Sequence, residues 1–111
     1  MPLDLHTTTD EATQAVVLTV LGEVDIATID QLESKIDSLD EPRTLVIDLT
    51  ATDFMDSTAL RLLITAHERF RESGREIKVA VEAGPISRLL EVTGVMGQLN
   101  AFSSVDSALR S

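Results

Sequence analysis

The chain has 111 residues, of which 43% are hydrophobic and only 3% aromatic, and its formal net charge is −10. This length fits one domain over 1–111 with an aliphatic core, and the negative charge makes nucleic acid and anionic membranes unsuitable partners, because both bind basic surfaces. The absence of cysteine excludes disulfides, thiolate metal sites and a cysteine nucleophile.

The chain begins with a predicted hairpin. Leu3 and Leu5 alternate with polar residues, as in a short edge strand, and the polar residues 7–14 predict the hairpin loop. Residues 15–21 are rich in β-branched side chains and predict a second strand that ends at Gly22.

A helix and a central strand follow the hairpin. The apolar stripe of the helix consists of Ile29, Leu32, Ile36 and Leu39. Thr28 or Asp25 is expected to cap this helix, and residues 40–42 end it. Residues 45–49 are nearly all apolar, which predicts a strand covered on both faces.

The second half of the chain continues the alternation of helix and strand. The stripe of the next helix consists of Leu60, Leu63, Ile64, His67 and Phe70. Gly74 is its predicted C-terminal cap, and Ile77, Val79 and Val81 form an alternating strand.

The last elements are short. Pro85 begins a helix that ends near Gly94, and residues 98–102 predict a strand. The closing helix is predicted from Val105, Ala108 and Leu109. The order β-β-α-β-α-β-α-β-α indicates the α/β class, with a mixed but mostly parallel sheet and one antiparallel edge.

The sequence gives little support for an enzyme. Asp48, Asp53 and Asp56 follow the central strand, and carboxylates at strand ends can hold Mg²⁺. A chain with 19 acidic residues clusters some by chance, so no metal and no cofactor is predicted. His67 is expected to be packed and hydrogen-bonded, and neither a Gly-x-Ser-x-Gly motif nor a glycine-rich phosphate loop is present.

The sequence also indicates the compartment. Residues 1–10 lack a basic run followed by an apolar stretch, so no signal peptide is predicted. No apolar run approaches the ~20 residues of a membrane-spanning helix. We therefore expect a cytoplasmic protein.

Residues 54–60 join the central strand to the second helix. Asp56 and Ser57 are both good N-cap residues, so a helix start alone explains them. A phosphate on Ser57 would nevertheless meet free backbone N–H groups at the positive end of the helix dipole. It would lie near acidic residues and change the surface without unfolding the domain.

The opposite side of the same helix carries a second signal. Thr58, Leu62, Thr65 and Arg69 lie away from the apolar stripe. Leu62 is therefore an apolar residue on a face expected to meet solvent, which predicts a docking face beside Ser57.

Taken together, these residues resemble the STAS domain family, specifically the bacterial anti-sigma-factor antagonists. The resemblance covers nearly the whole chain and includes Gly-Glu-Val-Asp at 22–25, Val-Ile-Asp-Leu at 46–49 and Leu-Leu-Glu-Val-Thr-Gly at 89–94. The family motif Phe-(Met/Ile/Leu)-Asp-Ser-(Ser/Thr)-Gly-Leu aligns with 54–60, where Ala59 replaces the glycine.

The resemblance implies helices packed mainly on one face of the sheet and a partner-switching function. Such a protein binds an anti-sigma factor that is also a Ser/Thr kinase, and so releases a sigma factor. Phosphorylation of Ser57 would end the binding, and a phosphatase would restore it. The implied partner-binding residues are Glu23, Asp25, Asp56, Ser57, Thr58, Ala59 and Leu62.

Two alternatives remain open at this point. One is a constitutive STAS interaction module in a transporter or signalling assembly, for which Ser57→Ala should be harmless. The other is a weak nucleotide-binding domain. The oligomeric state is not indicated.

Overall fold

A computed structural model describes residues 2–111, which form one mixed sheet with four α-helices. The strands are β1 (Asp4–Thr9), β2 (Val16–Val24), β3 (Thr44–Asp48), β4 (Thr52–Met55), β5 (Glu76–Ala80) and β6 (Ala101–Phe102). The sheet order is β1-β2-β3-β5-β6, and β4 pairs with β2 beyond the end of β3. Among the strand pairs described within 2–111, β1–β2 alone is antiparallel, as predicted for the hairpin.

Three of the four helices cover one face of the sheet. The helices are α1 (Ile29–Ser38), α2 (Ser57–Glu72), α3 (Pro85–Val92) and α4 (Val105–Arg110). Buried residues of α1, α2 and α3 join Leu18 and Ile47 in the main core, whereas Ala108 of α4 packs with Val46 on the other face. The prediction that helices lie mainly on one face is therefore confirmed.

The central strand has the environment that its sequence predicted. Leu45, Val46 and Ile47 are all fully buried, with successive side chains directed to opposite faces. Parallel strands on both sides, β2 and β5, supply their backbone hydrogen bonds. The near-continuous apolar run follows from this position, because both faces of β3 are covered.

The sequence-based element boundaries need four corrections. Strand β1 continues to Thr9, so the hairpin loop is 10–15 rather than 7–14. Strand β2 passes through Gly22, which has φ +113° at a register shift, instead of ending there. Strand β4 was not predicted, and the predicted strand 98–102 is reduced to β6 after a 3₁₀ turn at Val95–Gly97.

Lys78 is buried on the face of the sheet that α4 covers. The alternating pattern of β5 suggests that Lys78 meets solvent, but only 6% of it is exposed because α4 covers this face. Its Nζ donates hydrogen bonds to the carbonyl of Ala108 at 2.9 Å and to the Oγ of Ser111 at 2.6 Å. A buried ammonium group thus fixes the C-terminal end of α4, where a positive charge also interacts favourably with the helix dipole.

Replacing Lys78 by methionine keeps an unbranched apolar side chain but removes these hydrogen bonds, and the Ala108 carbonyl then retains the longer bond from the Ser111 hydroxyl at 3.1 Å. We expect the free energy of unfolding to fall by about 1–3 kcal/mol, the usual effect of losing a buried, charge-assisted hydrogen bond. Urea unfolding measures the change. The matched control is Lys35→Met on α1, and equal stability of the two variants would contradict this role for Lys78.

Candidate functional site

The start of α2 is held by a side-chain cap. Asp56 has an extended backbone, and its Oδ1 accepts hydrogen bonds from the N–H groups of Thr58 at 3.0 Å and Ala59 at 3.2 Å. Of the two candidate N-cap residues, Asp56 therefore occupies the cap and Ser57 becomes the first residue of the helix.

Strand β4 brings this helix start to the end of β2. Val24 pairs with Met55 in parallel register, and the N–H of Asp56 donates to the carbonyl of Val24 at 3.1 Å. The segment that precedes α2 is thus bonded directly to the segment that precedes α1. Asp25 and Asp56, which are 31 positions apart in the sequence, consequently follow paired residues at one end of the sheet.

A hydrogen-bonded loop connects β2 to α1. The hydroxyl of Thr28 donates to the carbonyl of Glu23 at 2.7 Å and accepts from the N–H of Asp25 at 3.1 Å. The Oδ1 of Asp25 accepts from the N–H of Ala27 at 2.9 Å. Thr28 occupies the N-cap position of α1, as predicted, but its hydroxyl closes the loop instead of capping the helix. The loop that presents Asp25 is therefore rigidly closed.

Five of the predicted site residues keep accessible surface at this end of the sheet. Glu23 and Ser57 are exposed, and Asp25, Asp56 and Thr58 are partly exposed. The acidic residue Asp53, on β4, is exposed as well. The hydroxyl predicted as a phosphate acceptor thus lies beside carboxylates on a surface that another protein can reach.

The other two predicted site residues have almost no free surface. Ala59 is fully buried and Leu62 is only 9% exposed, and both belong to the main core. The prediction that Leu62 faces solvent is wrong because α1 packs beside α2, and Leu62 lines the floor of the groove between the two helices. A partner could touch Leu62 only through that groove.

The structure also corrects the expected chemistry of the helix start. The sequence suggested free backbone N–H groups beside Ser57, but those of Thr58 and Ala59 are bonded to the Asp56 carboxylate. The N–H of Leu60 donates to the carbonyl of Asp56 at 3.3 Å. A phosphate on Ser57 would therefore meet donors that are already occupied.

Two exposed apolar side chains at this end of the sheet were missed. Ile26, in the loop after β2, is 79% exposed, and Phe54, on β4, is 48% exposed. Phe54 is the register partner of Glu23, so both apolar residues lie at the end of the sheet that presents Ser57. The sequence signal for Ile26 was weak: it is an apolar residue in a polar loop, and it does not belong to the apolar stripe of α1.

The acidic and histidine residues that were considered for metal binding or catalysis do not form such a site within the described residues. Asp48 accepts from the N–H and hydroxyl of Thr50 at 3.0 Å and 2.6 Å, which fixes the turn after β3. Among residues 2–111, no three acidic or histidine side chains are arranged to hold a metal ion. The Nδ1 atom of His67 is buried without a partner in that range, contrary to the prediction of a hydrogen-bonded histidine.

None of the helices described within 2–111 combines the length and apolar character that crossing a bilayer requires.

Comparison with known proteins agrees with this architecture. The model of the STAS domain family matches residues 6–108. The anti-sigma-F factor antagonist RsfB of Mycobacterium tuberculosis is 34% identical over 97 residues, which cover 84% of this chain and 77% of RsfB.

Solved structures show the same fold. An anti-sigma factor antagonist from Mycobacterium paratuberculosis superposes with a TM-score of 0.87 at 25% identity, over 98% of this chain and 95% of that one. The anti-sigma factor antagonist SpoIIAA in its unphosphorylated form gives a TM-score of 0.73 at 16% identity, over 97% and 94% of the two chains. The chain described here belongs to the STAS domain family.

Proposed function

We propose that this chain is an anti-sigma-factor antagonist that releases a sigma factor by binding its anti-sigma factor, and that phosphorylation of Ser57 ends this binding. Antagonists of this family are binding proteins rather than enzymes. The anti-sigma factor would itself be the Ser/Thr kinase, and a phosphatase would restore the active form. The observation that carries the proposal is the exposed Ser57 hydroxyl at the start of a helix that Asp56 caps.

Asp56, and not Ser57, caps α2, so a reversible modification of Ser57 is compatible with the fold. Asp56 supplies the capping bonds, so the hydroxyl of Ser57 is not needed to begin α2. A phosphate at the first helical residue is also favoured by the helix dipole. Modification would therefore change the surface while the helix remains in place.

The surroundings of Ser57 have the composition of a protein-binding surface. Ile26 and Phe54 offer exposed apolar area, and Glu23, Asp25 and Asp53 place negative charge around it. Apolar anchors within a charged rim are the usual arrangement of an interface, and complementary charge guides the encounter. The partner face that fits is apolar at its centre and basic at its edge.

A phosphate would oppose binding at such a surface. It adds about −1.5 to −2 charge at neutral pH and three strongly hydrated oxygens. A partner would have to desolvate those oxygens when it docks, and a charge buried in an interface without a partner weakens binding. SpoIIAA, which shares this fold, is known in both an unphosphorylated and a phosphorylated form, and this is consistent with such a switch on the STAS architecture.

The first test uses Ser57 variants with the cognate anti-sigma factor. Incubation with that kinase and ATP should label Ser57, and Ser57→Ala should abolish the labelling. Ser57→Glu should weaken binding of the anti-sigma factor by about tenfold or more, which corresponds to at least ~1.4 kcal/mol. Mass spectrometry and isothermal titration calorimetry measure the two effects.

The control for this test is Ser107→Glu, which adds the same charge at an exposed position in the first turn of α4. It should leave binding unchanged because α4 packs on the opposite face of the sheet. If Ser57 is not labelled and Ser57→Glu binds as tightly as the unmodified protein, the chain is a constitutive interaction module and the proposal is wrong.

A second prediction concerns the apolar anchors. Ile26→Ala and Phe54→Ala should each weaken binding of the anti-sigma factor by about tenfold, because a few anchors that become buried at the centre of an interface supply most of its binding energy. Stability should change by less than about 0.5 kcal/mol for Ile26→Ala, since that side chain is on the surface. The control is Val92→Ala on α3, which is 78% exposed, and an equal loss of affinity in this variant would argue against a surface centred on Ser57.

A third prediction tests the cap. Asp56→Ala should lower the free energy of unfolding by about 0.5–2 kcal/mol, because the N–H groups of Thr58 and Ala59 lose their acceptor. Asp56→Asn keeps an amide oxygen at the cap and should lose less. Urea unfolding checks the order of the two variants, with Asp53→Ala as an exposed acidic control. Equal stability of Asp56→Ala and Asp53→Ala would show that the cap contributes nothing.

A further inference from the structure

We infer that Arg61 binds the phosphate of phosphorylated Ser57 within the same chain, an inference that rests on the switch proposed above. Ser57 is the first residue of α2, and Arg61 follows it at i+4. Side chains at this spacing lie on one helix face with Cβ atoms roughly 5–6 Å apart. The side chains of a helix also lean towards its N-terminus, which places residue 57 within reach of the Arg61 guanidinium.

The backbone of the helix start gives the phosphate little else to bind. The amides of Thr58 and Ala59 already donate to the Asp56 carboxylate, and that of Leu60 donates to the Asp56 carbonyl. Of the first amides of α2, only that of Ser57 itself is left outside these bonds. A phosphate dianion therefore needs a side-chain donor, and a guanidinium binds phosphate with two parallel charge-assisted hydrogen bonds.

Charge makes Arg61 the side chain that fits this role. The groups around the helix start are acidic: Glu23 and Asp25 before α1, Asp30 and Glu33 on α1, and Asp53 and Asp56 before α2. Arg61 is exposed, and none of the ion pairs between residues 2–111 includes it. The next arginine on α2 is Arg69, which pairs with Asp37 at 2.9 Å.

The pairing also gives the modification a second effect on the surface. Arg61 now lines the groove of about 240 Å³ between α1 and α2, together with Asp30, Glu33 and Thr58. When the guanidinium turns to the phosphate, the groove loses its positive charge and retains its carboxylates. Phosphorylation would thus alter both the helix start and the neighbouring groove.

The test measures the second pKa of the phosphate, which is about 6 for free phosphoserine. Phosphoserine is incorporated at position 57 during translation, so the experiment needs neither a kinase nor an anti-sigma factor. A nearby guanidinium stabilises the dianion, so the phosphate pKa should be about 0.15–0.4 unit lower in the phosphorylated protein that keeps Arg61 than in Arg61→Gln. Phosphorus NMR titration reads this shift directly.

Matched variants identify the source of the shift. Arg61→Lys keeps the positive charge and should retain part of the pKa shift. Arg69→Gln removes the same charge from a paired residue further along α2 and should leave the phosphate pKa unchanged. The difference in phosphate pKa between the phosphorylated parent protein, which keeps Arg61, and its Arg61→Gln variant should also shrink in 1 M salt, because salt screens a solvent-exposed ion pair.

Equal pKa values in the parent and Arg61→Gln would overturn the inference, and so would an equal rise in Arg69→Gln, which would show a general charge effect. Failure of a kinase to label Ser57 would contradict the proposed function but leave this measurement intact. The two ideas can therefore fail separately.

Discussion

The hydrogen bond from the N–H of Asp56 to the carbonyl of Val24 is the constraint on which the site depends. It extends the parallel pairing of β4 with β2 and ends in the residue that caps α2. Together with the other β2–β4 pairs, it joins the loop that carries Asp25 to the helix start that carries Ser57. With it, both become parts of one rigid end of the sheet, and a charge added to one is felt by any partner that contacts the other.

The cap next to this bond leaves the Ser57 hydroxyl without a part in starting the helix. The carboxylate of Asp56 satisfies two amides of α2, which is the structural task of a helix start. The adjacent hydroxyl of Ser57 has no such task, so its chemistry can vary without loss of the helix. The same arrangement has a consequence for phosphate binding: because the cap already uses the amides, a phosphate must rely on side chains and on the helix dipole. Because the surrounding side chains are acidic, a single nearby arginine becomes the main side-chain donor for such a phosphate.

The sequence was sufficient for the class of fold and for most elements, because core-facing residues repeat with the periods of helix and strand. It failed where neighbours across the chain decide the outcome. Residues 52–55 form β4 only because β2 continues past the bulge at Gly22 and offers them a pairing edge. Leu62 was predicted to meet solvent, but it is covered by a helix whose position no local pattern encodes, and the burial of Lys78 under α4 has the same origin. The position of Ser57 at a helix start was predictable from local chemistry, whereas the occupation of the neighbouring amides required the geometry of the cap.

The departure of this chain from its family motif can be understood in the same terms. Ala59 stands where the motif has glycine, and the motif alone suggests that its methyl group faces a partner. The residue is fully buried in the main core, so the extra methyl group packs inside the molecule. Alanine is about 1 kcal/mol more favourable than glycine within a helix, and a buried methyl group adds roughly 0.8 kcal/mol. Ala59 therefore strengthens the first turn of α2, the turn that holds Asp56 and Ser57 in place, and leaves the surface that a partner would meet unchanged.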